Sequence, residues 1–338
     1  MALLTDDVLV VNAGSTSLKL SVVDADDVAR PVASLGDAPT VAAVGHRVVH
    51  GGARFSEPTR IDDEVLTELT ALIELAPLHN APAVDAIVAA RKALPDATHV
   101  AVFDTAFHKT LPEVASTYLL PTRFRDRGIR RFGFHGLSVQ WVVERVPAAR
   151  LVVCHLGGGS SVTAVRDGRS IDTTMGFTPL EGVPMATRAG SVDPGALLYL
   201  LRHGVAVDEL DAALEHESGL SALAGTGDVA ALERAGTPEA RLALDIYCYR
   251  IAQAVAAMAI ALGGLDGLAF TAGVGEHSAA VRSAVCTHLA FLGVSLDETS
   301  NARAQGDAEI GASSSSVRVH VVTAREDVVV ARAVRSVA

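Results

Sequence analysis

The sequence predicts an α/β protein of two related lobes, and three observations carry that prediction. Apolar strand-like runs alternate with stretches of helical periodicity. A unit of strand, small-residue turn and strand occurs twice, about half a chain apart. At 338 residues the chain exceeds one ordinary compact domain without reaching three. Two lobes facing one another make a cleft.

The first unit runs from Val8 to Val23, two apolar strands around a turn of Asn12, Ala13, Gly14, Ser15, Thr16 and Ser17. Helical spacing follows from Asp62 to Leu75. A second helix is expected from Ala81 to Leu94, with Pro82 in the first turn, where the missing N–H costs nothing. A strand then spans His99 to Phe103. The second unit, Leu151 to Val165, turns on Gly157, Gly158 and Gly159. Helices are expected over Pro194–Leu201, Asp208–Leu214 and Arg241–Leu262, then a strand over Gly267–Thr271 and a third glycine turn from Ala272 to Glu276. A Gly/Ala/Ser-rich stretch, Gly306 to Ser316, precedes a last strand, Val317–Val322, and a closing helix from Glu326 to Val337. The longest apolar run, Ala254 to Gly275, is broken by Asp266 and reads as a helix followed by a buried strand rather than a membrane span.

Composition excludes several classes. Apolar residues make up 49% of the chain, too many for intrinsic disorder. Aromatics at 4% and a net charge of −11 argue against a nucleic-acid partner. Cys154, Cys248 and Cys286 lack metal-ligand or disulfide-framework spacing, and the N-terminal residues carry no secretory pattern, so a cytoplasmic protein without a membrane partner is expected.

Turns of glycine and hydroxyl residues present backbone N–H groups to phosphate oxygens, and three of them together suggest a nucleotide cradle. No Walker A sequence is present. Arg47 and Arg188 sit among small or apolar neighbours, where a guanidinium needs either a ligand anion or a carboxylate partner. Asp104 follows a strand directly, the position from which carboxylates enter a ligand crevice, and Glu326 is either a second metal-side acid or a helix-start residue. His46 and His50 have zinc-pair spacing, but their Val-Val and Gly-Gly neighbours indicate a strand end. His79, His108, His135 and His155 are each either core histidines or donors to a transferring group.

Six motifs in order resemble the acetate kinase family of acyl phosphotransferases. They are VNAGSTSLK from Val11, GHRVVHGG from Gly45, FDTAFH from Phe103, FGFHG from Phe132, TPLEG from Thr178 and FTAGVGE from Phe270. The resemblance implies an actin-like (ribonuclease H-like) fold of two duplicated lobes: residues 1–106 with 327–338 as the first, and the nucleotide-binding residues 107–326 as the second. It implies ATP and Mg²⁺, reversible phosphorylation of a short-chain carboxylate, acetate before propionate, and a homodimer. By motif position, Arg47 and Arg188 become anion clamps, His135 a phosphoryl donor, and Asp104, Glu326 and Asn12 the metal side. Asn12, Ser15, Ser17 and Lys19 become the first phosphate turn, with His155, Gly157, Gly158 and Gly159 the second. Gly273, Val274, Gly275, Glu276 and His277 approach the nucleoside, and Val49, Leu78, His79, Phe134 and Pro179 line the acyl pocket.

Four features depart from the family pattern. The chain is short before Gly45, so the first lobe is expected to lack a strand or helix. Gly158 stands where an Asn is usual, as in the butyrate kinases, and His277 also replaces an Asn. The last motif, Thr323-Ala324-Arg325-Glu326-Asp327, leaves Glu326 and Asp327 as competing metal-side acids. The rival readings are a butyrate kinase, a hydroxyl kinase on the same fold, which would need a base for the alcohol proton, and an actin-like nucleotide-binding protein without transfer activity.

Overall fold

The structure is a computed structural model that describes residues 4–13 and 18–338. Ser15 and Ser17 lie outside the described residues, as does the side chain of Leu78. Two mixed six-stranded sheets organise the chain. The first contains β1 (Leu4–Ala13), β2 (Leu18–Val23), β3 (Ala29–Val32), β4 (Val41–Val48), β5 (Thr59–Arg60) and β6 (Thr98–Phe103). The second contains β7 (Arg150–Leu156), β8 (Ser160–Arg166), β9 (Arg169–Thr173), β10 (Gly267–Thr271), β11 (Ala308–Glu309) and β12 (Arg318–Val322).

The orders are β3-β2-β1-β4-β6-β5 and, read from the opposite edge, β9-β8-β7-β10-β12-β11. Pairing directions match as well. Each sheet starts with an antiparallel meander, continues through two parallel pairings and ends on a short antiparallel edge strand. This is a duplicated, actin-like α/β fold, and the hairpin repeat in the sequence is its trace. Among the described residues the first sheet has as many strands as the second.

Two helix expectations change. The helix expected from Ala81 begins at Pro77 and runs to Ala93, with Pro77 itself in the first turn and Pro82 inside. Pro82 is close enough to the helix start that its missing N–H removes only one of the first intrahelical bonds. The expected third glycine turn is a six-residue helix, Ala272–His277, entered through Ala272 at φ 65°. Its tight packing explains the glycine, since a Cβ on Gly275 would lie 3.3 Å from the Phe270 carbonyl carbon.

The Pro238–Leu262 helix is long and apolar enough to cross a membrane by composition, but it lays Tyr247, Ile251, Val255 and Leu262 into the core of the second sheet. A different core spans both lobes. Val8, Val10 and Val100 of the first sheet and Val153 and Ala269 of the second meet around two helices, Gly136–Arg145 and Glu326–Arg335. The closing helix lies against β1 and β4 at close range because residue 45 is glycine. A Cβ there would come within 2.6 Å of Val330 Cγ1 and 2.7 Å of Val334 Cγ2, and β-branched valines have little rotamer freedom to retreat. Gly45→Ala is therefore expected to destabilise the protein by about 1–3 kcal/mol, the usual cost of overpacking. Urea denaturation checks this, and an unchanged midpoint would refute the close-packing account.

Candidate active site

The parallel strands of both sheets end at one cleft of about 630 Å³. Strand register sets its first wall. Lys19, Asn12 and Arg47 are paired neighbours across β2, β1 and β4, so they form one row at the cleft edge. Asp104 directly follows β6 and is 1% exposed. Its N–H donates to the Val48 carbonyl at 3.1 Å and its carbonyl accepts from Gly136 N at 2.8 Å.

Arg47 grips that carboxylate with two bonds, Nε to Oδ1 at 2.9 Å and Nη2 to Oδ2 at 2.6 Å. Its Nη1 donates to Asn12 Oδ1 at 3.1 Å and lies 3.1 Å from Glu326 Oε2. Burial would lower the Arg47 pKa, but Asp104 and Glu326 more than offset this and hold it above the usual guanidinium value. Burial also pushes Asp104 upward against the pull of Arg47, while the forked contact is that of an ionised pair. Arg47 thus has carboxylate partners and a cleft-facing position at once.

Arg188 enters the same cleft from the loop between β9 and the Pro194–Arg202 helix. Its Nη2 donates to His79 Nε2 at 2.9 Å, its Nη1 reaches Met185 Sδ at 3.9 Å, and its Nε lies 2.9 Å from Glu215 Oε2. His79 belongs to the Pro77–Ala93 helix of the first lobe, so this contact spans the cleft. Burial, then Arg188 and Arg47, depress His79 to about 4.

The motif around His135 is explained by crowding. Gly133 has φ 77° and a Cβ there would meet His108, while one on Gly136 would collide with the Asp104 carbonyl and the Phe107 Cβ. His135 itself takes φ 59°, an uncommon value for a non-glycine residue, at the start of the Gly136–Arg145 helix. Its ring stacks on His155 with centroids 3.9 Å apart. His135 Nδ1 meets Ser161 Oγ at 3.0 Å and His155 Nδ1 meets Ser138 Oγ at 2.8 Å. The Nε2 edges of both rings face the glycine turn: built Cβ atoms on Gly159 and Gly157 would lie 3.2 Å from His135 Nε2 and 3.8 Å from His155 Nε2. Burial keeps both imidazoles neutral, aided by His155 and then Arg47 and Arg188 at His135 and by Arg47 at His155, with His155 at about 3 and His135 well below its ordinary value. The space above Gly158 is open.

Val49, Phe134 and Pro179 line the cleft floor, and Val49 and Phe134 pack with the buried Met175 and Met185. Gly158, Gly273 and Glu276 also face the cleft, and Glu276 Oε1 accepts from Ala324 N at 3.0 Å. Gly157, Val274 and His277 border an adjoining cavity of about 270 Å³ that shares Gly158, Ala186 and Gly273 with the cleft. Gly275 is buried under its helix and lines neither space. Between the competing acids, Glu326 reaches Arg47, whereas Asp327 turns back to accept from Val328 N at 2.9 Å.

The remaining histidines are structural. His46 bonds His99 at 2.9 Å inside the first sheet. His50 accepts from Gly52 N at 2.9 Å and donates to the Phe177 carbonyl at 3.2 Å. His108 accepts from Ser170 Oγ at 2.8 Å and donates to the Phe134 carbonyl at 2.9 Å, which fixes the backbone just before His135. Sequence reasoning missed Glu215, Ser138 and Met185, and it offered Ser161 only as a hydroxyl of the second glycine turn, not as the partner of His135. Ser138 lies two residues beyond the FGFHG motif and Ser161 two beyond the glycine turn, each facing a histidine, but nothing in an ordinary acidic helix marks Glu215.

The sequence matches the acetokinase family over residues 32–332. It is 46% identical over 302 residues to an acetate kinase of Nostoc punctiforme, covering 86% of this chain and 75% of that one. An acetate kinase of Deinococcus radiodurans is 46% identical over 321 residues, 90% of this chain and 81% of the relative. Among solved structures, a propionate kinase from Francisella tularensis superposes with a TM-score of 0.92 at 32% identity, covering 99% of this chain and all of that one. Porphyromonas gingivalis acetate kinase gives 0.85 at 32% identity, covering 98% and 100%.

Burial lowers His108 from 6.5 to about 4, so the unfolded chain binds a proton between those values that the native protein excludes. The stability His108 contributes is complete above pH 6.5 and is lost as pH falls through about 4. Removing this group with His108→Gln should flatten the fall in unfolding free energy across that window by up to about 1.4 kcal/mol per pH unit. Denaturant titrations at stepped pH measure it; parallel slopes for the two proteins would refute the assignment.

Proposed function

The chain belongs to the acetokinase family and phosphorylates acetate with ATP, and we propose that the cleft performs the transfer directly and in line, with propionate as a second substrate. The observation that carries this reading is the meeting of two guanidinium groups, Arg47 of the first lobe and Arg188 of the second, over a small apolar floor in one cleft. A carboxylate is ionised at neutral pH, so no general base is needed. The difficulty is the repulsion of two anions, which fixed cations offset while also stabilising charge that develops during transfer.

In this reading the apolar floor of Val49, Phe134 and Pro179, with His79 beside it, seats the acyl tail, and Arg188 takes its carboxylate. His135, neutral and held by Ser161, donates a hydrogen bond rather than a charge to the transferring group. His155 and the turn of Gly157, Gly158 and Gly159 border the phosphates, with Asn12 and Lys19 facing them from the first sheet. The smaller cavity beside Gly273, Val274 and His277 takes the nucleoside. Closure over the cleft excludes water that would otherwise intercept the phosphoryl group.

The donor set fits Mg²⁺. Asp104 and Glu326 offer carboxylate oxygens and Asn12 its amide oxygen, and all three converge on Arg47. Among the described residues no cluster of three His, Cys, Asp or Glu side chains is placed to hold a metal. Mg²⁺ in phosphoryl-transfer sites needs only one or two carboxylates beside water and phosphate. Asp104 and Glu326, with Asn12, would hold it, and when bound it supplies charge neutralisation at phosphate oxygens.

The same reading assigns residues 1–106 and 327–338 to the first lobe and 107–326 to the second, supported by the closing helix lying on β1 and β4. A homodimer is supported by the exposed apolar residues Leu119, Leu120 and Val192, which line one surface cavity. A cytoplasmic setting is supported by three free, buried cysteines.

Trapping the product with hydroxylamine tests the chemistry, because acyl phosphates form hydroxamates and alkyl phosphates do not. Hydroxamate should form from acetate, more slowly from propionate and least from butyrate, and only with Mg²⁺ present. Arg47→Ala and Arg188→Ala should each lower the rate by at least about a hundredfold, as loss of an electrostatic donor does elsewhere. Near-normal turnover in both variants would reject the clamp, and a preference for butyrate would reject the acetate assignment.

A further inference from the structure

We propose that Glu215 is a positioning residue that aims the Arg188 guanidinium into the cleft, an inference that rests on the proposed role of Arg188. Glu215 closes the Val207–His216 helix, which lies outside both sheets. Its carboxylate is as enclosed as its partner: both side chains are 12% exposed, with Glu215 Oε2 2.9 Å from Arg188 Nε. Among the described residues that oxygen has no hydrogen-bond partner, so the charge of the arginine beside it is what compensates its burial.

The contact is part of a cradle. Thr187 Oγ1 donates to the Glu215 carbonyl at 2.8 Å, and Ser218 N donates to the Thr187 carbonyl at 2.9 Å. Leu220 N and Ser221 N each donate at 3.0 Å, to the Met185 and Ala186 carbonyls. Gly219 sits between, at φ 64°, where a Cβ would collide with the Met185 carbonyl and lie 2.8 Å from the Arg188 carbonyl oxygen. The helix end therefore holds the Arg188 backbone and side chain together.

Geometry assigns the division of labour on the guanidinium. Nε is taken by Glu215 and Nη2 by His79, while Nη1 rests on Met185 Sδ and lies 3.6 Å from a Cβ built on Gly159. Anchoring Nε fixes the plane of the group and leaves the Nη1 edge toward the phosphate turn. A weak sulfur acceptor there is readily exchanged for an oxyanion. Without Glu215 the side chain loses the ion pair that favours this rotamer, and the entropy of ordering it falls on the substrate.

The test is a double-mutant cycle with hydroxamate formation and fluorescence-detected nucleotide binding as readouts. Glu215→Ala should raise KM for acetate at least about tenfold and lower kcat, with nucleotide affinity changed less than about threefold, whereas general loss of structure would move all of them. Glu215→Gln, which keeps an acceptor for Nε, should restore kcat to within about threefold of the parent. In an Arg188→Ala background the further change Glu215→Ala should have no effect. Additive losses, or a Glu215→Ala enzyme with parental kinetics beside a crippled Arg188→Ala enzyme, would overturn the inference while leaving the clamp intact. A parental Arg188→Ala enzyme would instead overturn the clamp itself.

Discussion

Arg47 and Asp104 stand at the ends of adjacent parallel strands, and the forked ion pair between them fixes the geometry of the first lobe's cleft wall. Asp104 cannot swing away, because its backbone is bonded to Val48 on one side and Gly136 on the other. Arg47 is therefore rigid, and Asn12 and Glu326 take their places around its remaining nitrogen. A buried pair of this kind is costly to desolvate and contributes little net stability. Its value is orientation, since a guanidinium already held in place needs no reorganisation when a reacting anion arrives.

Charge in the cleft divides sharply between two residue types. The histidines at its rim are kept neutral by burial and by the two arginines. Arginine remains protonated throughout the range in which imidazole titrates. Positive potential thus comes from guanidinium, and imidazole is left to direct hydrogen bonds. The three carboxylates Asp104, Glu326 and Glu215 outnumber the two arginines they pair with. A nucleotide polyphosphate entering this cleft meets acids as well as cations, which is a physical reason for it to arrive with a divalent ion.

The two hairpins and the glycines that bend tightly were legible in the sequence because local rules create them. Gly136 and Gly133 are glycine for steric reasons that single residues reveal. The start of the Pro77–Ala93 helix was misjudged because proline suits a first turn and also survives a few residues later when packing supports the helix. The Ala272–His277 helix was read as a turn because two glycines in five residues have low helix propensity, which contact with Phe270 overrides. The resemblance supplied the clamp and its neighbours, but not the Glu215 contact. Residues 188 and 215 are joined only by tertiary packing, and neither spacing nor composition encodes that encounter.

The equivalence of the two sheets has one more implication. At the cleft edge of the first, the paired row is Lys19, Asn12 and Arg47; in the second it is Ser161, His155 and Thr271. One copy of the ancestral unit carries permanent charge on its strand tips and the other none. The second lobe's permanent cation, Arg188, comes instead from the long excursion between Thr173 and Gly267, whose counterpart in the first lobe spans only Val32 to Val41. Symmetry supplied two matching walls, and an insertion in one of them broke the electrical equality between the halves, giving the interlobe gap a polarity that a faithful repeat would lack.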